Sequence, residues 1–188
     1  TLDGVERTLT SDMLVIGNQD KTLDLAGIMG GENSEIKDTT TSIFIEGASF
    51  AKENIRATSK KLGLRTEASS RFEKGIDINL AEEAVNRACQ LIEELGCGTV
   101  LNGMLDYYPQ KEEVQKVTVN PVRINKLLGV NVPMDQFINI LESLEFKCNL
   151  VSSEVLELEV PTFRLDITED ADILEEIARI YGYDKIPT

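Results

Sequence analysis

Apolar positions in the first half of the chain come in short bursts separated by glycine-bearing turns. Residues 13–16, 22–28 and 42–46 are such bursts, and they predict three strands. Between the second and third lies GIMGGEN, in which Gly27, Gly30 and Gly31 mark a turn. Over 51–61 the pattern lengthens to a helical period, closed by Gly63. The clearest helix runs over 80–95, where Ala81, Ala84, Ala88, Leu91 and Leu95 form the apolar face. Asn79 and Glu82 have capping-box spacing before it, and Gly96 ends it. Strands alternating with helices predict an α/β or α+β unit.

The pattern lapses over 106–116, DYYPQKEEVQK, a polar stretch with a proline and no apolar period, and a domain boundary is expected there. This divides the chain into 1–110 and 111–188. A short strand (117–119) precedes a short helix with Asn120 as cap, Pro121 at its first position and Gly129 past its end. A turn through Val132 and Pro133 leads to a helix over 134–144. Two alternating strands, 146–151 and 155–160, follow with Ser152 and Ser153 at their turn. An extended entry from Pro161 then joins an acidic helix in which Ile173, Ile177 and Ile180 form the buried stripe and Gly182 fits a left-handed cap. Helix, turn, helix, hairpin is winged-helix order, an arrangement common among DNA readers.

Charge works against DNA. The chain carries 33 acids and 19 bases, a net charge of −14. Divided after Gln110, it holds 11 bases and 18 acids, then 8 bases and 15 acids, so each part is −7. The second winged helix carries Asp135, Glu142 and Glu145 with no Lys or Arg, and the hairpin adds Glu154, Glu157 and Glu159. Such a surface repels phosphates instead of releasing counterions. The one locally positive region holds Lys52, Arg56, Lys60, Lys61, Arg65, Arg71 and Lys74 against Glu53, Glu67 and Glu73. Within it Lys52, Arg56 and Lys60 stand at i, i+4 and i+8, one helical stripe, which reads equally as a solvated face or as a place for the end of an RNA.

Of 188 residues, 41% are hydrophobic and 28% charged, the balance of a soluble globular protein with real cores. No apolar run has the length of a membrane span and the start resembles no signal peptide, so a cytoplasmic protein is expected. The first residue is Thr, as expected of a piece of a longer chain. Cys89, Cys97 and Cys148 form no C-x-x-C pair, and they are expected as buried free thiols. The absence of His removes Ser-His and Cys-His hydrolysis from this chain.

The acidic helix offers the strongest candidate chemistry. Asp172, Glu175 and Glu176 stand at i, i+3 and i+4, sharing one face, and Asp166 precedes them. Four converging carboxylates need a counter-charge, for which magnesium is a natural candidate. The alternative is an ordinary acidic helix start, favoured by the macrodipole and capped by Asp166 with Glu169 or by Thr168.

The run from Arg164 to Pro187 resembles a motif of the bacterial-type phenylalanine–tRNA ligase beta-subunit family: Arg164, Asp166, Asp172, Glu175 and Glu176, then Tyr181, Gly182, Tyr183, Ile186 and Pro187. LAGIMGG (25–31), IFIEGASF (43–50) and RTEASSRFEKGID (65–77) are similar to segments of the same family's editing domain, which hydrolyses tyrosine wrongly attached to the phenylalanine tRNA. The resemblance spans nearly the whole chain. It implies an α+β architecture: the C-terminal part of an α/β editing domain over 1–110, then a small winged-helix-like domain over 111–188.

The same resemblance implies an editing pocket lined by Ala26, Gly27, Gly30, Glu46, Thr66 and Ala68. Small residues leave room for a ring, and the Gly30 N–H and Glu46 carboxylate suit a phenolic hydroxyl. Thr66 would position the ester or a water. Taken without the family, these glycines are turn formers, Ala68 is packing and Glu46 is a surface charge. In the family, upstream residues that include a histidine complete the pocket, and this chain has none. The resemblance further implies magnesium held by Asp166, Asp172, Glu175 and Glu176 at the contact with a catalytic alpha subunit. ATP and phenylalanine would bind that subunit, and tRNA(Phe) the whole enzyme. The rivals are a non-enzymatic interaction scaffold and, disfavoured by charge, a DNA-binding regulator.

Overall fold

A computed structural model describes residues 1–109 and 111–187. The fold is α+β, in two compact units, Thr1–Asn102 and Gly103–Thr188. The first unit holds β1 (Val15–Gly17), β2 (Thr22–Leu25) and β3 (Met29–Gly30), an antiparallel sheet in that order, then α1 (Lys52–Leu62), α2 (Glu67–Phe72) and α3 (Leu80–Glu94). Its core is small: Leu25, Ile28, Ile55 and Leu64, flanked by Phe50, Phe72, Met29 and Leu62. α1 ends where the sequence predicts, at Gly63 with φ +60°.

Three expectations for this unit are corrected. Residues 42–46 form no strand; Ile43 and Phe44 lie exposed and no described strand pairs with them. β-forming residues make a strand only where a neighbouring edge accepts their backbone groups, and IFIE lacks one here. The Asn79–Glu82 capping box is absent, because Asn79 has helical backbone angles and makes no side-chain cap. Asp77 takes over, its Oδ1 accepting the Asn79 N–H at 2.9 Å. Finally, α3 turns Ala81, Val85, Ala88, Cys89 and Ile92 inward and leaves Ala84, Leu91 and Leu95 exposed. Gly47 decides this orientation: a Cβ there would stand 2.5 Å from Val85 Cγ2 and 2.8 Å from the Ala81 carbonyl oxygen.

The second unit runs β4 (Lys116–Val119), α4 (Pro121–Leu128), α5 (Met134–Ser143), β5 (Lys147–Ser152), β6 (Val155–Glu159) and α6 (Asp170–Tyr181), with an antiparallel sheet ordered β4-β6-β5. This is the predicted helix, turn, helix, hairpin order. Central β6 alternates: Leu156 and Leu158 face the core, while Glu157 and Glu159 face out to Lys116 (3.0 Å) and Lys147 (3.4 Å). Part of the hairpin's acidity is thereby neutralised across strands. Asn120 caps α4 by accepting the Arg123 N–H at 2.9 Å. Asn125 ties the α4–α5 turn, donating to the Val132 carbonyl and accepting its N–H. Phe137, Leu141, Leu156, Leu158, Ile173 and Ile177 are among its fully buried core residues, each contributing about 1.5–3 kcal/mol by burial.

In α6, Ile180 is 41% exposed rather than buried; Glu176 and Ala178 are inside instead. Gly182 has φ +111° and ψ 120°, so it leaves the helix through a conformation suited to glycine but not through the predicted left-handed cap. The three cysteines are free, yet only Cys89 and Cys148 are half-buried; Cys97 is exposed. Burial pushes the Cys148 thiol up to about 11.

Glu145, beyond the end of α5, holds a left-handed φ of +68° so that the Phe146 N–H can reach the Leu141 carbonyl at 3.1 Å. A side chain in that conformation costs roughly 1 kcal/mol. Glu145→Gly is expected to stabilise the second unit by up to about 1 kcal/mol, read as a higher urea midpoint. An unchanged or lower midpoint would show that the Glu145 side chain itself contributes.

Candidate functional site

Gly27 is where the candidate segments of the first unit meet. It sits in the β2–β3 turn with φ +66°, and a Cβ on it would approach Phe50 to 2.8 Å, Ile55 to 3.1 Å and Phe72 to 3.2 Å. Phe50 belongs to the 43–50 segment and Phe72 to the 65–77 segment, and their rings lie 5.0 Å apart at 59°. A second tie is polar. The Thr66 hydroxyl donates to the Ile28 carbonyl at 2.8 Å and accepts the Ser69 N–H at 3.0 Å, capping α2. The Ser69 hydroxyl oxygen in turn accepts the Thr66 N–H at 2.8 Å. Ala26 is fully buried, with its N–H on the Leu14 carbonyl at 3.2 Å. Gly30 lies under Leu2, whose Cδ1 would stand 3.0 Å from an added Cβ. Ala68 is half-buried on α2.

Glu46 projects from an exposed stretch, yet its carboxyl is shielded enough for burial, and then the charge of Asp24, to raise its pKa. Burial raises Asp24 as well, and its Oδ1 is buried without a hydrogen-bond partner. Both shifts mark carboxyls whose charge is poorly solvated and poorly paired. Asp24 was missed in the sequence, although an acid inside the strand TLDL is itself a signal. A cavity of about 320 Å³ is lined by Asp24 together with Thr1, Arg7, Leu9, Thr22, Leu23, Leu25, Gly31, Glu32 and Asn33. A second, of about 410 Å³, follows the β1–β2 turn. Neither is lined by Ala26, Gly27, Gly30, Glu46, Thr66 or Ala68. The small residues at 26 and 27 are filled by neighbours in this chain and leave no ring-sized void of their own.

In the second unit, Arg164 brings two of the four predicted metal acids together. Its guanidinium forks onto Asp166 at 2.9 and 2.6 Å and reaches Glu176 at 3.0 Å. It also lies over the Phe146 ring, 6.0 Å from the centroid. Arg179 takes the other oxygen of Glu176. Asp172 turns to the helix start, its Oδ2 accepting the N–H groups of Thr168 (2.7 Å) and Glu169 (2.9 Å) and the Thr168 hydroxyl (3.2 Å). Glu175 faces solvent.

The pKa directions follow. Hydrogen bonds from Arg164 hold Asp166 low, and backbone N–H groups hold Asp172 low. For Glu176, burial pushes up, but Arg179 and Arg164 together outweigh it and the net direction is down. The counter-charge that the sequence leaves open is thus an arginine two residues from Asp166. Among the described residues no three His, Cys, Asp or Glu side chains converge as a metal cage. As arranged here, the donor set does not fit magnesium, which wants an oxygen octahedron and no neighbouring cation.

Removing Arg164 leaves Glu176, 10% exposed at its side chain, with one partner instead of two. Arg164→Gln is expected to cost about 2–3 kcal/mol in thermal or urea unfolding. Millimolar magnesium is expected to leave the melting midpoint of the unaltered chain in place; a clear rise would contradict the misfit just described. The pH dependence has a definite sign. Asp166, Asp172 and Glu176 are depressed, so their stabilisation is complete above the unfolded carboxylate range near 4 and is lost as pH falls through their folded values. A circular-dichroism melt series from about pH 6 to about 3 should show this loss, and a smaller one in Arg164→Gln.

Comparison with known proteins gives this geometry its context. Residues 1–97 match the family described as B3/4 domain, and residues 117–183 match the one described as tRNA synthetase B5 domain. The chain is 48% identical over all 188 residues to a phenylalanine--tRNA ligase beta subunit of Clostridium tetani, of which it covers 24%. It is 47% identical to that of Clostridium acetobutylicum (100% of this chain, 24% of the relative). Against that of Geobacter metallireducens the figure is 46% over 187 residues, 23% of the relative. The chain therefore spans about a quarter of the length of these curated relatives. It belongs to the B3/4 domain family, and carries a tRNA synthetase B5 domain after it.

Proposed function

We propose that this chain is the editing and docking segment of a phenylalanine–tRNA ligase beta subunit. Its first unit contributes to hydrolysis of tyrosine misattached to tRNA(Phe), and its second unit docks the catalytic alpha subunit. The observation that carries this reading is the meeting of the 25–31, 43–50 and 65–77 segments at Gly27, with Glu46 beside Asp24. In an editing site the task is to read one hydroxyl. A carboxylate partly shielded from water is suited to it, because it accepts the hydrogen bond of a phenolic O–H, and an analogue without the hydroxyl leaves it unpaired.

Each predicted pocket residue has a place in this reading. Ala26 is a buried floor and Gly27 the hinge against which Phe50 and Phe72 pack. Gly30 needs Leu2 to move before its backbone meets a ligand. Thr66 and Ala68 open α2, with the Thr66 hydroxyl holding the wall to the hairpin. The chain carries no imidazole, so a general base from within it would be a carboxylate, a lysine or a tyrosine.

The parent reaction joins phenylalanine to tRNA with ATP. In this reading ATP and phenylalanine are bound by the alpha subunit, and magnesium accompanies the nucleotide phosphates. The acids of α6 work through Arg164 and Arg179 as a rigid docking element. Docking to protein suits the second unit because its α5 face carries Asp135 and Glu142 and would be repelled by a nucleic-acid groove.

The test uses a complete beta subunit with its alpha partner. Glu46→Ala is expected to slow deacylation of tyrosyl-tRNA(Phe) at least about tenfold while charging with phenylalanine stays near that of the unaltered enzyme. Unchanged deacylation would remove Glu46 from the site and favour the scaffold reading.

A further inference from the structure

The two compact units divide at the peptide bond between Asn102 and Gly103, and that bond carries a chemistry neither unit uses. Asn102 is the one asparagine of eleven that precedes a glycine. The Cγ carbon of an asparagine amide is an electrophile within ring-closing reach of the backbone nitrogen of the next residue. A side chain on that next residue crowds the nitrogen with its Cβ. Glycine leaves it open and lets the backbone turn toward the ring.

The fold leaves both reactants free. Asn102 and Gly103 are exposed, in a bend between α3 and β4 that belongs to no helix or strand. Among the described residues no hydrogen bond holds the Asn102 side chain or the Gly103 N–H. Gly103 has φ +116°, and nothing stands within 4 Å of the place a Cβ would take. Comparable pairs elsewhere are held. Asn33 precedes Ser34, the smallest successor after glycine, but its Nδ2 donates to the Thr22 carbonyl at 3.0 Å. The Ser34 N–H is engaged as well, on the Gly31 carbonyl at 3.1 Å. Asp3 precedes Gly4, yet Arg7 forks onto its carboxylate at 2.7 and 2.6 Å. The Gly4 N–H donates to the Thr1 carbonyl at 2.9 Å. The bond that divides the units is thus the place where reactive sequence and unrestrained backbone coincide.

We propose that Asn102 is a site of spontaneous deamidation, which converts the junction of the two units into an isoaspartyl linkage. The Gly103 nitrogen, its proton taken by hydroxide, attacks Cγ of Asn102. The N–Cγ bond forms, the Cγ–Nδ2 bond breaks, and ammonia leaves with a proton supplied by water. Water then opens the resulting succinimide. Attack at the backbone carbonyl carbon of Asn102 breaks its bond to nitrogen, so the chain runs on through Cγ and a free α-carboxylate remains. Attack at Cγ gives ordinary aspartate. No atom is oxidised or reduced, and water is the only co-reactant. A backbone amide is a weak nucleophile, and adjacency in the chain supplies the effective concentration that lets it react. Both products add a negative charge at the junction, and the isoaspartyl product also adds a methylene to the backbone. Nothing in this step depends on the editing reading.

The test incubates the 188-residue chain at about 37 °C between about pH 6 and 8 and follows each asparagine by peptide mapping. Conversion is read as the mass gain of an amide becoming an acid. Isoaspartate is read by methyl transfer from labelled S-adenosylmethionine with an isoaspartyl carboxyl methyltransferase. Asn102 should convert at least about tenfold faster than Asn33, and its rate should rise about tenfold per pH unit, because the nitrogen reacts without its proton. Asn102→Gln, which must close a larger ring, should remove the methyl label, and Gly103→Ala should slow its appearance at least about tenfold. Asn33→Gln should leave the label unchanged. In guanidinium chloride Asn33 should accelerate as its hydrogen bonds are lost, while Asn102 should stay within about threefold of its rate in the folded chain. No conversion at Asn102, equal rates at Asn33 and Asn102 in the folded chain, or a large acceleration of Asn102 on unfolding would overturn the proposal; the last would show that the fold protects the bond.

Discussion

A guanidinium with 17% of its side chain exposed cannot stand without acids, and Arg164 settles much of the second unit by meeting that need. It links the extended entry to α6 by holding Asp166 and Glu176 at once, and it lies over Phe146 at the end of the α5 turn. Three separate pieces of chain thus converge on one side chain. The same constraint decides the fate of the acids. Glu176 can be buried on α6 because Arg164 and Arg179 supply its partners, while Ile180, one turn further along, is exposed. The fork on Asp166 also leaves Asp172 free to serve the helix start, where two backbone N–H groups and a hydroxyl take one oxygen.

The first unit is organised by close approach more than by bulk. Its buried cluster is small, and Gly27 and Gly47 are the positions where backbones must come near side chains of other elements. At Gly27 the need is double, a left-handed turn and the rings of Phe50 and Phe72 against the Cα. This explains why position 27 of LAGIMGG carries no side chain. It is also why the space beside Gly27, whose smallness suggests room for a ligand, is taken by the protein's own Phe50 and Phe72.

Much of the architecture is legible in the sequence because the signals are local. Asn120 with Pro121 and Gly129 fixes α4, Gly63 ends α1, and the alternation of Leu156 and Leu158 with Glu157 and Glu159 gives β6 its two faces. What the sequence hides is pairing. The 42–46 segment has strand composition but no described partner, and the inward face of α3 depends on Gly47 rather than on its own most hydrophobic stripe. The acids show the same limit. Their helical spacing is readable, but which charge neutralises them is a question of rotamers. The answer, Arg164, lay two residues before Asp166 in the same motif. Arg179 was equally visible, three residues after Glu176, where a helix places a partner. Asp24 is legible as an acid inside the strand TLDL, but its effect on Glu46 depends on how the chain brings the two together.

The two sets of carboxyls are perturbed in opposite directions, and the contrast bears on what each unit is built to do. In the second unit every shifted acid among Asp166, Asp172 and Glu176 has donors and lies below its ordinary pKa, so ionisation and folding favour each other. Such acids are structural, and their charge is already committed. In the first unit Asp24 and Glu46 lie above their ordinary values, Asp24 through burial and Glu46 through burial and then the charge of Asp24, so folding and their ionisation oppose each other. A fold keeps such a cost only where nothing within it can remove it by pairing, and Asp24 Oδ1 has no partner among the described residues. A hydrogen-bond donor reaching the Asp24 carboxyl would relieve part of it. The contrast is between acids on α6 whose donors are built into the fold and a buried carboxyl oxygen on β2 that has no partner among the described residues.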